Sequence, residues 1–151
     1  MNATLFDLEP YSLERVANSL HATSLAEYSE LFFATQAHRA GFSIWHPLGH
    51  AHKADIIIWK PPQRPLSVQV KVLSMEGKRW RGKLGRTPGG NQKRRNYCKY
   101  RIGDVDVLAF YLPSREKFAL YHVSQTEAME GYSLIWKEGD RLDNWSILDE
   151  I

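Results

Sequence analysis

The sequence predicts an α/β fold, a mixed β-sheet flanked by helices, on three observations. Residues 25–39 carry apolar residues at helical spacing and stop at Gly41. Residues 55–72 hold two runs rich in β-branched side chains about the Pro-rich turn Pro61-Pro62-Gln63-Arg64-Pro65, the pattern of a β-hairpin. Residues 104–112 are apolar on both faces, as a strand inside a sheet is. The 151 residues, 43% hydrophobic, suffice for one packed domain over 1–151 and leave little for a second.

Composition narrows the setting. Cys98 is the single cysteine, so no intrachain disulfide forms and a reducing compartment, cytoplasm or nucleoid, is expected. Asp7 and Glu9 stand where a signal peptide carries basic residues, and no apolar run approaches the ~18 residues of a membrane span, so a soluble protein without a membrane partner is expected. The net charge is only +3, but it is unevenly spread. Lys78, Arg79, Arg81, Lys83, Arg86, Lys93, Arg94, Arg95, Lys99 and Arg101 fall within residues 77–102 without one acid, while all 17 acids lie elsewhere. A solvated loop usually mixes signs, so this asymmetry points to a polyanion-binding surface suited to nucleic acid.

In chain order, residues 1–22 are an N-terminal extension. Within it, residues 12–20 space Leu13, Val16, Ala17 and Leu20 for a short helix packed on the domain or on a second subunit. Ser24 and Glu27 have the spacing of a capping box opening a helix from Leu25 to about Arg39. Leu25, Tyr28, Leu31, Phe32 and Thr35 make its expected apolar stripe, and a second line of Ala26, Glu30, Ala34 and Ala37 leaves Glu30 among small neighbours, able to meet a sheet closely. Residues 42–46 read as a strand and 47–53 as a loop. Its histidines, His50 and His52, with His46 before them, lack the Cys partners of a zinc site and are expected to be solvated or near a phosphate.

After the hairpin, residues 74–102 read as a basic DNA-binding loop, because Gly77, Gly82, Gly85, Pro88, Gly89 and Gly90 interrupt regular structure. Such a loop is expected to order on its ligand, with Trp80, Tyr97 and Tyr100 offering rings to stack on bases. The strand at 104–112 turns at 113–117 into a return strand over 118–123, and Ser124 and Glu127 suggest a second capping box. The tail, 132–151, is expected to hold a last helix burying aromatic residues or a subunit interface.

Within the hairpin, period-two alternation sends Gln69 and Lys71 to one face of the second strand and Val68, Val70 and Val72 to the other. Asp55 stands at the start of the first strand. A carboxylate, a carboxamide and an ammonium converging in a strand pair are costly to bury without a partner, so a metal and phosphate site is the leading explanation.

With Glu30 on the preceding helix, this order of residues resembles the PD-(D/E)-X-K (restriction endonuclease-like) nuclease superfamily. The likeness extends over roughly residues 24–123, through His46-Pro47-Leu48-Gly49, Asp55-Ile56-Ile57, Gln69-Val70-Lys71-Val72, Tyr100 and Val105-Asp106-Val107-Leu108. The string is most similar to the subgroup of the cyanobacterial group I intron homing endonuclease, which also has Gln where most of the superfamily has an acid; Ala54 replaces the usual Pro. The resemblance implies a Mg²⁺- or Mn²⁺-dependent, site-specific endonuclease of double-stranded DNA with Glu30, Asp55, Gln69 and Lys71 as its catalytic residues. Asp55 would be the principal metal ligand, with the Gln69 amide oxygen, the Val70 carbonyl and Glu30, through a water or a second ion, completing the set. Lys71 would orient the attacking water or steady the phosphate, and Gln69 in place of an acid implies weaker metal binding. Two strands and one site per chain imply a homodimer or homotetramer. Holliday-junction resolution and a catalytically inactive DNA-binding module are the alternatives.

Overall fold

The computed structural model describes residues 22–48, 52–86, 97–140 and 142–151. The expected helix at 12–20, His50, and the basic residues Lys93, Arg94 and Arg95 lie outside the described residues.

Helix α1 runs Ala22–Arg39. It begins three residues before the expected start at Leu25, so Ser24 and Glu27 lie on its exposed first turns and the pair does not stand at the helix boundary. Its end follows expectation. Gly41, at φ +92°, takes the left-handed conformation; its N–H donates to His38 O at 2.9 Å, and the Phe42 N–H to Ala37 O at 3.1 Å. These two bonds satisfy carbonyls the last turn leaves open. The buried line of the helix is Ser29, Phe33 and Ala37, flanked by Leu25, Tyr28 and Phe32, whereas Leu31 is 64% exposed and Thr35 exposed. The expected stripe is thus rotated, because tertiary packing selected the row containing the large Phe33 ring.

Five strands form the main sheet in the order β1-β2-β3-β8-β9: β1 (Ser43–Trp45), β2 (Ile56–Trp59), β3 (Leu66–Val72), β8 (Val107–Leu112) and β9 (Lys117–His122). The expected hairpin is β2 and β3, paired antiparallel from Ile56↔Val68 to Ile58↔Leu66. β3 and β8 are parallel, with Gln69 opposite Leu108 and Lys71 opposite Phe110; β9 returns antiparallel to β8. The sheet is therefore mixed, and β8 is an interior strand buried along its whole length. Asp106 fixes where the parallel pair begins: one carboxylate oxygen accepts from Ser67 N–H at 2.7 Å and Ser67 Oγ at 2.8 Å, and the other from Arg64 at 2.7 Å.

The two faces of the sheet bury separate clusters. On one, Val68, Val70, Val107, Ala109 and Tyr111 pack against Phe33 and Ala37 of α1 and against Ile147 and Leu148. On the other, Leu108, Phe110 and Leu112 meet Leu73, Leu84, Tyr100, Leu134 and Trp136. The second cluster is roofed by a structure that was expected to be a loop. Ser74–Glu76 is β4 and Arg79–Lys83 is β5, joined antiparallel around Gly77 at φ +63°; Gly85–Arg86 (β6) pairs with Cys98–Lys99 (β7). A parallel β3–β8 pair requires a long crossover, and this segment supplies it as a second sheet. The glycines that suggested interruption form its turn and its closest approach: a Cβ on Gly82 would stand 2.5 Å from the Phe110 ring and 2.9 Å from Leu73.

The C-terminal region also departs from expectation. After the short helix α2 (Val123–Glu127), Ser133–Trp136 forms β10, the third strand of the second sheet, and Trp145–Glu150 is a 3₁₀ helix. Ile147, Leu148 and Trp136 are buried in the core of this chain. The expected capping pair at the start of α2 is replaced by Gln125, whose Oε1 accepts from His122 N–H at 3.0 Å, because helical backbone begins one residue before Ser124. Among the described residues no helix is long and apolar enough to cross a membrane. Gly82→Ala should lower stability by about 1–3 kcal/mol through overpacking against Phe110, read as a fall in the urea midpoint; an unshifted midpoint would mean that the sheets are not held at this distance.

Candidate active site

The site forms because β2 is shorter than its neighbour. The Asp55 N–H closes the last rung to Val68 O at 2.9 Å, and β3 then continues for four residues beside β8 with its β2 side open. The Val70 N–H, left without a strand partner on that side, donates to Asp55 Oδ2 at 2.8 Å. The same oxygen accepts from the Gln69 side-chain NH2, which also lies 3.3 Å from Val70 O. Gln69 is only 9% exposed, and its Oε1 accepts from the Tyr100 hydroxyl at 3.0 Å. Lys71, two residues on, extends from the same face, with Nζ 5.3 Å from the centre of the Tyr100 ring.

Glu30 arrives from α1, half-buried. It lies near enough to Asp55 and Lys71 for both to act on it. Burial first, then the Asp55 charge, then Glu27, push its carboxyl up to about 7, against a smaller opposing pull from Lys71. Asp55 is also raised, by burial, with the Val70 N–H, the Lys71 charge and Gln69 pulling the other way. Lys71 is lowered, chiefly by burial and further by the Lys83 and Arg86 charges, while Asp55 and Glu30 hold it up. The structure thus brings Glu30, Asp55, Gln69 and Lys71 together, and it sets the cations of β5 and β6 within electrostatic reach of Lys71.

The donor set suits a hard divalent cation. Both carboxylates are partly desolvated and the Asp55 charge raises Glu30 further, so a cation between them relieves both burial and repulsion. The Val70 carbonyl and the Gln69 amide are neutral oxygen donors of the kind Mg²⁺ and Mn²⁺ take. Among the described residues no three His, Cys, Asp or Glu side chains gather into one cluster, and His46 and His52 are exposed, so nothing there favours zinc. One feature opposes the oxygen set as it stands: the Gln69 amide turns its NH2 toward Asp55 and its oxygen toward Tyr100.

The other expected binding residues divide. Alternation along β5 puts Arg79, Arg81 and Lys83 on the face opposite Trp80 and the buried Gly82, with Lys78 in the preceding turn and Arg86 half-buried on β6. Arg81 pairs with Glu76 at 3.3 Å. Lys99 is turned elsewhere: its ammonium donates to Glu127 O at 3.1 Å and to Met129 O, tying β7 to the end of α2. Tyr100, expected among the base-stacking rings, is 2% exposed and belongs to the site. Tyr97 packs edge-on to Tyr132 at 5.4 Å. No spacing in the sequence singles out Tyr100, because its contact with Gln69 spans 31 residues and depends on how the second sheet folds back. Asp106 serves the β3–β8 junction, as its hydrogen bonds show.

The fold is shared with a solved structure, the bacterial homing endonuclease I-Ssp6803I, at a TM-score of 0.72 over 86% of this chain and 95% of that one, with 21% sequence identity. At that identity the likeness is one of fold. No family model matches the sequence, and no curated protein matches it.

Because the Glu30 value is raised above the 4.5 of the free side chain, ionising it disfavours the folded state. That penalty is absent below about pH 4.5, grows as pH rises and is complete above about 7. Glu30→Gln should therefore raise the melting temperature at pH 8 in a chelator and leave it nearly unchanged at pH 4.5. A parent chain and variant that melt with parallel pH profiles would show that Glu30 is not held in this environment.

Proposed function

We propose that this protein is a divalent-metal-dependent DNA endonuclease of the PD-(D/E)-X-K kind, with Glu30, Asp55, Gln69 and Lys71 as its catalytic residues. The observation that carries this reading is the meeting of Asp55, Lys71 and the Glu30 carboxyl where β2 ends, beside a strand whose free face is cationic. The shared fold with a protein described as a homing endonuclease supports it. Fold alone does not carry an activity, so the weight rests on the residues.

Asp55, the Val70 carbonyl, the Gln69 amide oxygen and Glu30 are the groups that would hold Mg²⁺ or Mn²⁺. Such an ion supplies a Lewis acid for the phosphate and charge neutralisation for the leaving oxygen. The remaining work belongs to the side chains. Lys71, held beside two carboxylates, donates its N–H groups to the phosphoryl oxygens as their charge grows. Glu30, which would reach the ion only through a water, orients the attacking water and accepts its proton. Hydrolysis then leaves a 5′-phosphate.

DNA is held by Lys78, Arg79, Arg81, Lys83 and Arg86, with Lys93, Arg94 and Arg95 in the same sequence segment. Alternate residues on a strand stand roughly 7 Å apart, so Arg79, Arg81 and Lys83 form a line of charges suited to successive phosphates of one strand. Cutting both strands of a duplex takes two copies of the site, which favours a dimer or a tetramer.

Plasmid cleavage in Mg²⁺ tests the reading. Asp55→Asn should abolish cutting, and Lys71→Ala should slow it at least about 100-fold, both with the melting transition retained. If either variant cuts like the parent, the assignment is wrong; DNA binding without cleavage at any Mg²⁺ or Mn²⁺ concentration would leave a binding module, and preference for a four-way junction over linear duplex would make the activity structure-selective. Replacing Arg79 and Lys83 together by Ala should flatten the salt dependence of DNA binding by about 2 in the log-log slope, and an unchanged slope would move the binding face elsewhere.

A further inference from the structure

Tyr100 reaches the site from the far end of the basic segment. Its backbone N–H donates to Leu84 O at 2.9 Å, which fastens it between β6 and β7 and the main sheet. Its hydroxyl donates to Gln69 Oε1 at 3.0 Å, and its ring lies against the Lys71 ammonium. One buried side chain therefore meets both Gln69 and Lys71 of β3.

The two ends of the Gln69 amide have opposite preferences. Asp55 Oδ2 is an acceptor that already takes the Val70 N–H, so the amide end beside it is the NH2. An amide oxygen placed there would face a carboxylate oxygen and be repelled. A divalent cation held by Asp55 reverses the preference, since the carbonyl end binds it and the NH2 end does not. A half-turn of the amide exchanges them and brings Nε2 to the Tyr100 hydroxyl. A hydroxyl can donate to an oxygen or accept from an NH2, so it partners either end.

The geometry points to Tyr100 as a positioning residue that serves both orientations of the Gln69 amide: donor to Oε1 when the NH2 faces Asp55, and acceptor from Nε2 when the oxygen faces a divalent cation. This role rests on the metal-dependent reading above. It follows from having an amide at position 69, because a carboxylate presents oxygens both ways and needs no such partner. Without the hydroxyl, the cation-holding orientation would leave a buried NH2 unpaired, a loss that falls on metal affinity.

Calorimetric titration with Mn²⁺ in the absence of DNA tests the role in the parent, Tyr100→Phe, Gln69→Ala and the double variant. Phe keeps the ring and its contact with Lys71 and removes only the hydroxyl. Tyr100→Phe should weaken Mn²⁺ binding about 10-fold, while in the Gln69→Ala background the same change should alter affinity less than about twofold, since Tyr100 then has no amide to act on. Equal weakening in both backgrounds would mean that Tyr100 acts through packing and would overturn the proposal. A parent that binds Mn²⁺ with Tyr100→Phe binding equally well also overturns it and leaves the metal-dependent reading intact. A parent that binds no Mn²⁺ removes both together.

Discussion

The Asp55 carboxylate takes over the hydrogen bonding of β3 at the point where β2 ends. A strand buried on both faces cannot leave a backbone N–H unpaired, and Asp55 Oδ2 caps that of Val70 one step past the last rung of the hairpin. This structural duty draws an acid into a partly desolvated place, raising its pKa, and the same place receives Gln69, Lys71 and the Glu30 carboxyl. The cap and the polar cluster are one arrangement: slipping the register of β2 on β3 by a residue would reverse which face each side chain meets.

The parallel pairing of β3 with β8 shapes everything downstream. It demands a long crossover, and among the described residues that crossover contributes strands of a second sheet, where many α/β folds use a helix. The second sheet does two things at once. Its inner face closes the core over Phe110 and Leu108, with Gly82 permitting the contact, and its outer face displays cations whose charge is felt at Lys71. The cationic face and the cluster around Asp55 and Lys71 are thereby held in a fixed relation by packing, not by a tether.

The likeness to I-Ssp6803I is one of fold, and the individual side chains decide what a site on that fold does. The proximity of two carboxylates to a partly buried lysine is a poor way to stabilise a protein, since burial works against all three charges. An arrangement that disfavours its own ionised groups is better suited to chemistry than to structure. Tyr100 extends that reasoning, for its hydroxyl spends its hydrogen bond on the orientation of one amide.

Local pattern determined a great deal of this protein. Helix α1 and its Gly41 stop, the β2–β3 hairpin, the apolar β8, and the alternation that sends Gln69 and Lys71 to one face are all written in spacings of two to four residues. Asp55, Gln69 and Lys71 were legible for the same reason, lying within one hairpin. Tertiary structure decided what depends on distant partners. It chose the Phe33 row of α1 over the Leu31 row, turned the described parts of the glycine-rich basic segment into strands, enlisted β10 from the tail, and tied Lys99 to carbonyls at the end of α2. It also brought Tyr100 to Gln69 across 31 residues. Periodicity reports which face of an element is apolar, but pairing between elements is settled by the backbone hydrogen bonds and close packing of the whole sheet, and the short β2 that opens the site beside Asp55 exists only in that pairing.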